Sequence, residues 1–307
     1  MVTFPKLTTE ERESLLEPPR GQASIILDTD TYNEIDDQFA LVYALLSDNL
    51  EIKGVHAAPF HNVRSSGPAD GMEKSYQEIL HILEMMEYAD TIPALRGSTT
   101  YLPSHIEPVP SPAAERLAEE ALSHEDEPLY VLTIGAITNV ASALLMEPEI
   151  IRHIVIVWLG GQPYYWPTAK EFNLRQDVPA AQVVFDSGVP LVHIPCKNVA
   201  EHLRTTLPEM QAYVRGQGAV GDYLYQIFKD HREDHFAHSK VIWDVSTVAY
   251  MNEPQWVPTA LRPSPVLLDD VTWGEADATR HRIRAAYDVD RDAIFRDLFC
   301  KLAEQAE

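Results

Sequence analysis

The chain is expected to fold as an α/β protein, with a largely parallel central sheet and helices on both faces. Short, apolar, branched runs of strand length alternate with longer runs whose apolar residues recur at helical spacing. That βα alternation is the pattern of parallel strands joined by crossover helices. No internal repeat, low-complexity segment or long linker divides the 307 residues, so one domain is expected over 1–307, with residues 1–23 as its N-terminal extension.

In chain order, Ile25-Ile26-Leu27 has the length and branching of a buried strand. The run Phe39 to Leu46 is apolar nearly all round, as a buried helix is. Glu51 to Ala58 is the second strand, followed by a helix near Met72 to Met86 that sets Ile79, Leu80, Ile82, Leu83 and Met86 at helical spacing. A helix from Ala113 to Leu122 leads into the strand Leu129 to Thr133, and one from Asn139 to Leu145 into Ile154 to Leu159. Val189 to Ile194 is the next strand, and Val245 to Met251 an apolar helix headed by Trp243-Asp244. Ligand sites in such sheets lie at the carboxyl ends of the strands.

A formal charge of -23 and a pI near 4.8 exclude a nucleic-acid backbone as partner, which needs clustered Lys and Arg, and favour a small neutral or cationic ligand. Cys196 and Cys300, far apart and in no motif, imply neither a disulfide nor a thiolate metal site. The first 21 residues carry charges where a signal peptide needs an apolar stretch, and no later run reaches the length of a membrane span. A cytoplasmic protein with no membrane partner is expected.

The most informative segment is Ile25 to Leu46, which sets four aspartates, Asp28, Asp30, Asp36 and Asp37, between the first strand and the buried helix. Carboxylates crowded at a strand end raise one another's pKa unless a cation neutralises them, which points to a hard, oxygen-loving metal. The alternative makes Asp36 and Asp37 partners of the helix dipole and Asp28 and Asp30 turn formers, and leaves the latter two unpartnered beside a buried strand.

Three further stretches follow strands. Gly135-Ala136-Ile137-Thr138-Asn139 reads as a strand-to-helix turn with Thr138 or Asn139 as N-cap, and only weakly as a phosphate cradle, having one glycine and no following Lys. Gly160-Gly161 precedes the aromatic loop Pro163-Tyr164-Tyr165-Trp166-Pro167, whose rings either stack on a flat ligand or pack the loop. Beyond it, Glu171 and Asn173, two apart on extended chain, would point the same way, as a polyol-binding pair requires. Asp244, before an apolar helix, is by default an N-cap.

In order and context these motifs resemble the inosine-uridine type nucleoside hydrolases, over about Ser24 to Leu302. Asp28-Thr29-Asp30 with Asp36-Asp37-Gln38-Phe39-Ala40-Leu41 resembles the family's opening signature, and Gly135 to Asn139 its glycine turn. Leu159-Gly160-Gly161, Glu171-Phe172-Asn173, Asp177 and Asp244 are similar to its later motifs.

The resemblance implies a calcium-dependent hydrolase that splits the N-glycosidic bond of a ribonucleoside into base and ribose. It implies Asp30, Asp37, Asp244 and the Ile134 carbonyl as calcium ligands, and Asp30 as general base toward a calcium-activated water. It assigns ribose hydroxyls to Asp36, Glu171 and Asn173, adds His61 or Asn62, and leaves Asp28 to orient the loop behind them. A homodimer or homotetramer is a further implication.

The sequence departs from the family pattern in two places. Five residues, Thr31 to Ile35, separate Asp30 from Asp36 where three are common, which brings Asn33 and Glu34 near the site. Trp243 stands where many members carry the histidine that protonates the departing base. Help for the leaving group must then come from His238, His235 or Tyr164, from stacking on Trp243 or Trp166, or be unnecessary for an unusual base. Two other readings follow: a nucleoside- or ribose-binding protein that has lost turnover, and a metal-dependent hydrolase of phosphorylated sugars, which the lack of a Lys- or Arg-bearing cradle near the acids disfavours.

Overall fold

A computed structural model describes residues 2–124 and 127–306. Ten strands and eleven helices are present among them. The strands are β1 Ala23–Thr29, β2 Leu50–Ala57, β3 Ala94–Arg96, β4 Leu129–Thr133, β5 Ile154–Leu159, β6 Leu191–Ile194, β7 Arg204–Thr205, β8 Lys240–Val241, β9 Thr259–Pro263 and β10 Arg282–Ala286. The helices are α1 Thr9–Leu15, α2 Asp36–Leu45, α3 Pro68–Met85, α4 Pro112–Ser123, α5 Thr138–Met146, α6 Phe172–Gln176, α7 Val178–Ser187, α8 Leu207–Tyr213, α9 Gly218–Asp230, α10 Val245–Asn252 and α11 Arg291–Gln305.

Eight strands form one sheet in the order β3-β2-β1-β4-β5-β6-β10-β9. All neighbours are parallel except β9, which closes one edge antiparallel to β10. The chain winds outward in one direction from β1 through β2 to β3, then returns to lay β4 on the other side of β1. The loops after β1 and β4 therefore diverge and leave a crevice between their carboxyl ends, the point where such sheets bind ligands.

Strand residues alternate between two cores. Ile25, Leu27, Val155, Val157 and Leu159 face the side covered by α2, α3, α9, α10 and α11, while Ile26, Ile154, Ile156 and Trp158 face α4, α5 and α7. Both faces being dry, every residue of β4 and β5 is buried. A fully buried side chain such as Phe39 contributes about 2–3 kcal/mol by leaving water. Helix α2 is buried on all sides, its polar N-terminal residues Asp36, Asp37 and Gln38 included, and the rest of it is apolar all round.

The described part of the N-terminal extension, residues 2–23, carries one helix. Thr8 and Glu11 form a reciprocal capping box at the start of α1, which lies against β10. Among the described residues, no helix is long and apolar enough to cross a membrane.

Candidate active site

The crevice at the carboxyl ends of β1 and β4 collects the acids that the sequence singles out. Asp28 and Thr29 end β1, Asp30 follows, and Asp36 and Asp37 form the first turn of α2. Asp244 arrives from more than two hundred residues away, at the head of α10, which packs on α2. Carboxylate oxygens of Asp36, Asp37 and Asp244 lie within 4.8 Å of one another. All four of Asp30, Asp36, Asp37 and Asp244 are buried, and both oxygens of Asp30 lack a hydrogen-bond partner.

Such crowding shifts the acids strongly. Asp30 is held well above the usual carboxylate range, chiefly by burial and then by Asp37 and Asp36. Burial and the neighbouring Asp36 push Asp37 up to about 8, offset in part by the Thr29 hydroxyl, which donates to it at 2.6 Å. Asp244 is raised well above its ordinary value by burial, Asp36, Asp37 and Asp30. Asp28 is pushed up to about 7 by burial, with only the Asn139 amide at 2.8 Å to offset it.

Several local expectations are corrected by the site. Asp244 occupies the N-cap position of α10 but makes no capping bond, its carboxylate being turned to the other acids. Neither Thr138 nor Asn139 caps α5: its N-cap position is Ile137, and both side chains reach away from the helix. Thr138 donates to Asp177, and Asn139 bridges Asp28, the Ala57 carbonyl and the Ser98 N–H. Asp177 caps α7 through the Ala180 N–H and also accepts from the Leu102 N–H.

Glu171 and Asn173 do not share one extended stretch. Glu171 is the N-cap of α6 and accepts the N–H groups of Asn173, Leu174 and Gly161, while Asn173 sits in the first turn. The Asn173 amide donates to the carbonyls of Ile134 at 2.9 Å and Leu159 at 3.1 Å, tying the loops after β4 and β5 together. Gly135 lets the β4 loop pass this close: a Cβ there would lie 3.1 Å from Asp30 Cγ and from the Ala58 Cβ.

The crevice opens into a cavity of about 290 Å³. Asp36, Asp37, Asp244, Ile134, Glu171 and Asn173 line it, together with Trp243, whose backbone N–H donates to Asp36 at 3.3 Å. Asp30 lies behind them, fully buried. Sequence reasoning missed Gln162, Cys196 and Lys197 in the same wall. Gln162 and Cys196 each stand just past the carboxyl end of a strand, so the strand-end rule points to them. Burial, Glu171 and Asp244 raise the Cys196 thiol well above its ordinary value, which makes it a poor nucleophile.

Lys240 is the larger omission. Only 15% of its side chain is exposed, and its ammonium pairs with Glu34 and, at 3.6 Å, with Asp36. Burial pulls its pKa down, but Asp36 and Glu34 more than offset this and hold it above the usual value. No spacing rule links residue 240 to residues 34 and 36.

Other candidates lie outside the cavity wall. Exposed His61 donates its backbone N–H to Gln176, and Asn62 holds Asn33, itself a lining residue, through a 2.7 Å side-chain bond. Tyr164 packs the loop, stacked on His193 and bonded to its Nδ1 at 2.8 Å, and Trp166 packs edge-on against Tyr165. His238 and His235 gather around His231, beside an adjoining cavity of about 670 Å³ that shares Asn33 and Glu34 with the first.

Comparison with known proteins agrees with this geometry. The family model for inosine-uridine preferring nucleoside hydrolase matches residues 25–296. The chain is 29% identical over 266 residues to a pyrimidine-specific ribonucleoside hydrolase, RihA, of Enterobacter sp. (strain 638), covering 78% of this chain and 82% of that one. A RihA of Salmonella paratyphi A is 32% identical over 268 residues, again covering 78% and 82%. Among solved structures, the purine-preferring ribonucleoside hydrolase from Gardnerella vaginalis superposes with a TM-score of 0.73 at 20% identity, covering 92% of this chain and 99% of that one. The inosine-uridine preferring nucleoside hydrolase from Bacillus anthracis does so at 0.70 and 18%, covering 92% and 100%.

Sheet, crevice and relatives define one class of protein, an enzyme that hydrolyses ribonucleosides. The chain belongs to the inosine-uridine preferring nucleoside hydrolase family.

Proposed function

We propose that the crevice binds one calcium ion and one ribonucleoside, and that Asp30 acts as the general base in hydrolysis of the N-glycosidic bond. The observation that carries this is the convergence of Asp36, Asp37 and Asp244 within 4.8 Å, with the unpartnered Asp30 carboxylate behind them. Four buried acids, with Asp30, Asp37 and Asp244 raised above the usual carboxylate range, face one paired lysine and form an all-oxygen donor set short of positive charge, which suits a hard divalent cation. Asp30, Asp37, Asp244 and the Ile134 carbonyl would hold it, and when bound it would supply Lewis-acid activation of water and charge neutralisation.

The chain's own residues then divide the work. Asp30, whose two oxygens have no hydrogen-bond partner, would take a proton from water once a cation offsets the neighbouring carboxylates. Asp36, Glu171 and Asn173, all in the cavity wall, would bind ribose hydroxyls with bonds that tighten as positive charge grows on the sugar ring. Asp28, tied to Asn139, orients the β1 loop. Trp243 lines the same wall and its indole would pack against the base side, while His61, Asn62, Trp166 and the candidate acid His238, which lie outside that wall, would act only through loop movement toward the cavity. A cytoplasmic homodimer or homotetramer, folded as one domain over 1–307, completes the proposal.

Reducing sugar released from a panel of purine and pyrimidine nucleosides, with and without chelator, tests the reading. Turnover that stops in chelator and returns with calcium supports it. Nucleoside binding without turnover in the presence of calcium would replace it with the binding-protein reading, and phosphate release from sugar phosphates with the third.

A further inference from the structure

A second site lies at the opposite end of the sheet, where the N-terminal segment and α1 cross the chain entering β6 and β10. A groove of about 920 Å³ opens there, whose charged lining is Lys6, Arg12, Arg280 and Arg282 against Glu13 and Asp186, with His281 beside them. In a chain of net charge -23, this concentration of positive charge runs against the composition.

The central residue is Arg12. It is 7% exposed, and its Nη1 donates to the Gly188 carbonyl at the C-terminus of α7. Among the described residues it forms no ion pair, and burial alone is what lowers its pKa. Two acids line the groove as well, and each is matched by one of its other arginines, which leaves Arg12 and Lys6 as its unpaired cations among the described residues. Asp186 pairs with Arg280 at 2.5 Å, Glu13 with Arg282 at 3.8 Å, and Glu11 with Arg152 at 4.0 Å. His281 adds a buried Nε2 with no hydrogen-bond partner, and Arg12 and Arg280 lie close enough to disfavour its protonation. A guanidinium carries five donors in a planar fork, and a single carbonyl satisfies one of them. A buried cation without a counter-charge is costly, and the open side of the groove is where one can enter.

We propose that this groove binds the phosphoryl group of a small metabolite, with Arg12 as its central contact and Lys6 and Arg282 on its rim. Bidentate recognition by a guanidinium selects planar or tetrahedral oxyanions, and phosphate dianion is the strongest of these at neutral pH. The volume exceeds that of phosphate alone and leaves room for a sugar or nucleotide body. Binding would pin the N-terminal segment to the edge of the sheet, away from the catalytic crevice, so the consequence is stabilisation of the fold rather than a step of hydrolysis.

Calorimetric titration of the full chain at low ionic strength with inorganic phosphate, ribose 5-phosphate and adenosine 5'-monophosphate tests the site, with chloride at matched ionic strength as control. Saturable phosphate binding is expected, weakened about tenfold or more in Arg12→Met and in the double variant Lys6→Glu with Arg282→Glu, while nucleoside hydrolysis without added anion is unchanged in both. The double variant alters only exposed rim charges and keeps the test intact if loss of Arg12 impairs folding. Tighter binding of the phosphorylated compounds than of phosphate would show that the groove takes the whole metabolite, and equal binding that it takes the phosphoryl group alone. Absence of binding by all three anions, or binding unaffected by the double variant, overturns the proposal.

Discussion

Burial, and then the neighbouring Asp36, push the Asp37 carboxyl up to about 8, and burial that outweighs a single amide bond pushes Asp28 up to about 7. Both folded values lie above the unfolded value of about 4, so the ion-free folded chain keeps protons that the unfolded chain has already lost. Their contribution to stability is therefore complete below about pH 4 and is lost as the pH rises through 7 and 8. A bound cation would replace the proton on Asp37, so the rise in melting temperature on adding calcium should be larger at about pH 8.5 than at about pH 6. A calcium effect that is flat or shrinks over that range would contradict the assignment of Asp37 to the ion. Asp37→Asn should abolish the calcium effect and lower kcat by about a thousandfold, measured by reducing-sugar release. Lys240→Met leaves Asp36 and Glu34 without their cation, and denaturant unfolding of the ion-free chain should report a loss of about 1–3 kcal/mol.

Legibility at the scale of elements followed burial. β4 and β5 match the runs Leu129 to Thr133 and Ile154 to Leu159 residue for residue, because strands dry on both faces read as nearly continuous apolar runs. β10 escaped notice because Arg282 and Arg284 interrupt it, and β9 because it is a half-exposed edge ending in Pro263. The acids after β1 were legible as a cluster, since four carboxylates beside a buried strand have no cheap structural explanation. Less legible were the capping roles. Glu171 has the spacing of a ligand-binding residue but caps α6, and Asp244 has the position of a cap but faces the acids, because local sequence does not say which neighbour a side chain will meet in three dimensions. The β3 loop supplies an element-scale test. A Cβ on Gly97 would fall 2.0 Å from the Ala57 carbonyl oxygen and 2.4 Å from the Asn139 amide, the group that holds Asp28. Gly97→Ala should cost about 3 kcal/mol in denaturant unfolding and disturb activity as well, whereas wild-type behaviour would mean that the Asn139 bridge does not support the crevice.

Across the whole molecule, the sheet order explains why acids from residues 28–37 and residue 244 can meet at all: β1 and β4 part at the centre of the sheet, and α10 lies across α2 above that gap. Lys240 reaches the same place along β8, a contact made only by the tertiary fold and invisible to any motif. The acids thus belong to one structure only once the chain is folded, and an ion that binds them should stabilise the entire fold and not one loop. Equilibration with calcium followed by gel filtration and elemental analysis measures this most directly. About one calcium per wild-type chain and almost none in Asp244→Asn is the result expected of a site built by distant segments. A wild-type chain that retains no calcium, or an Asp244→Asn chain that retains as much as the wild type, would contradict it.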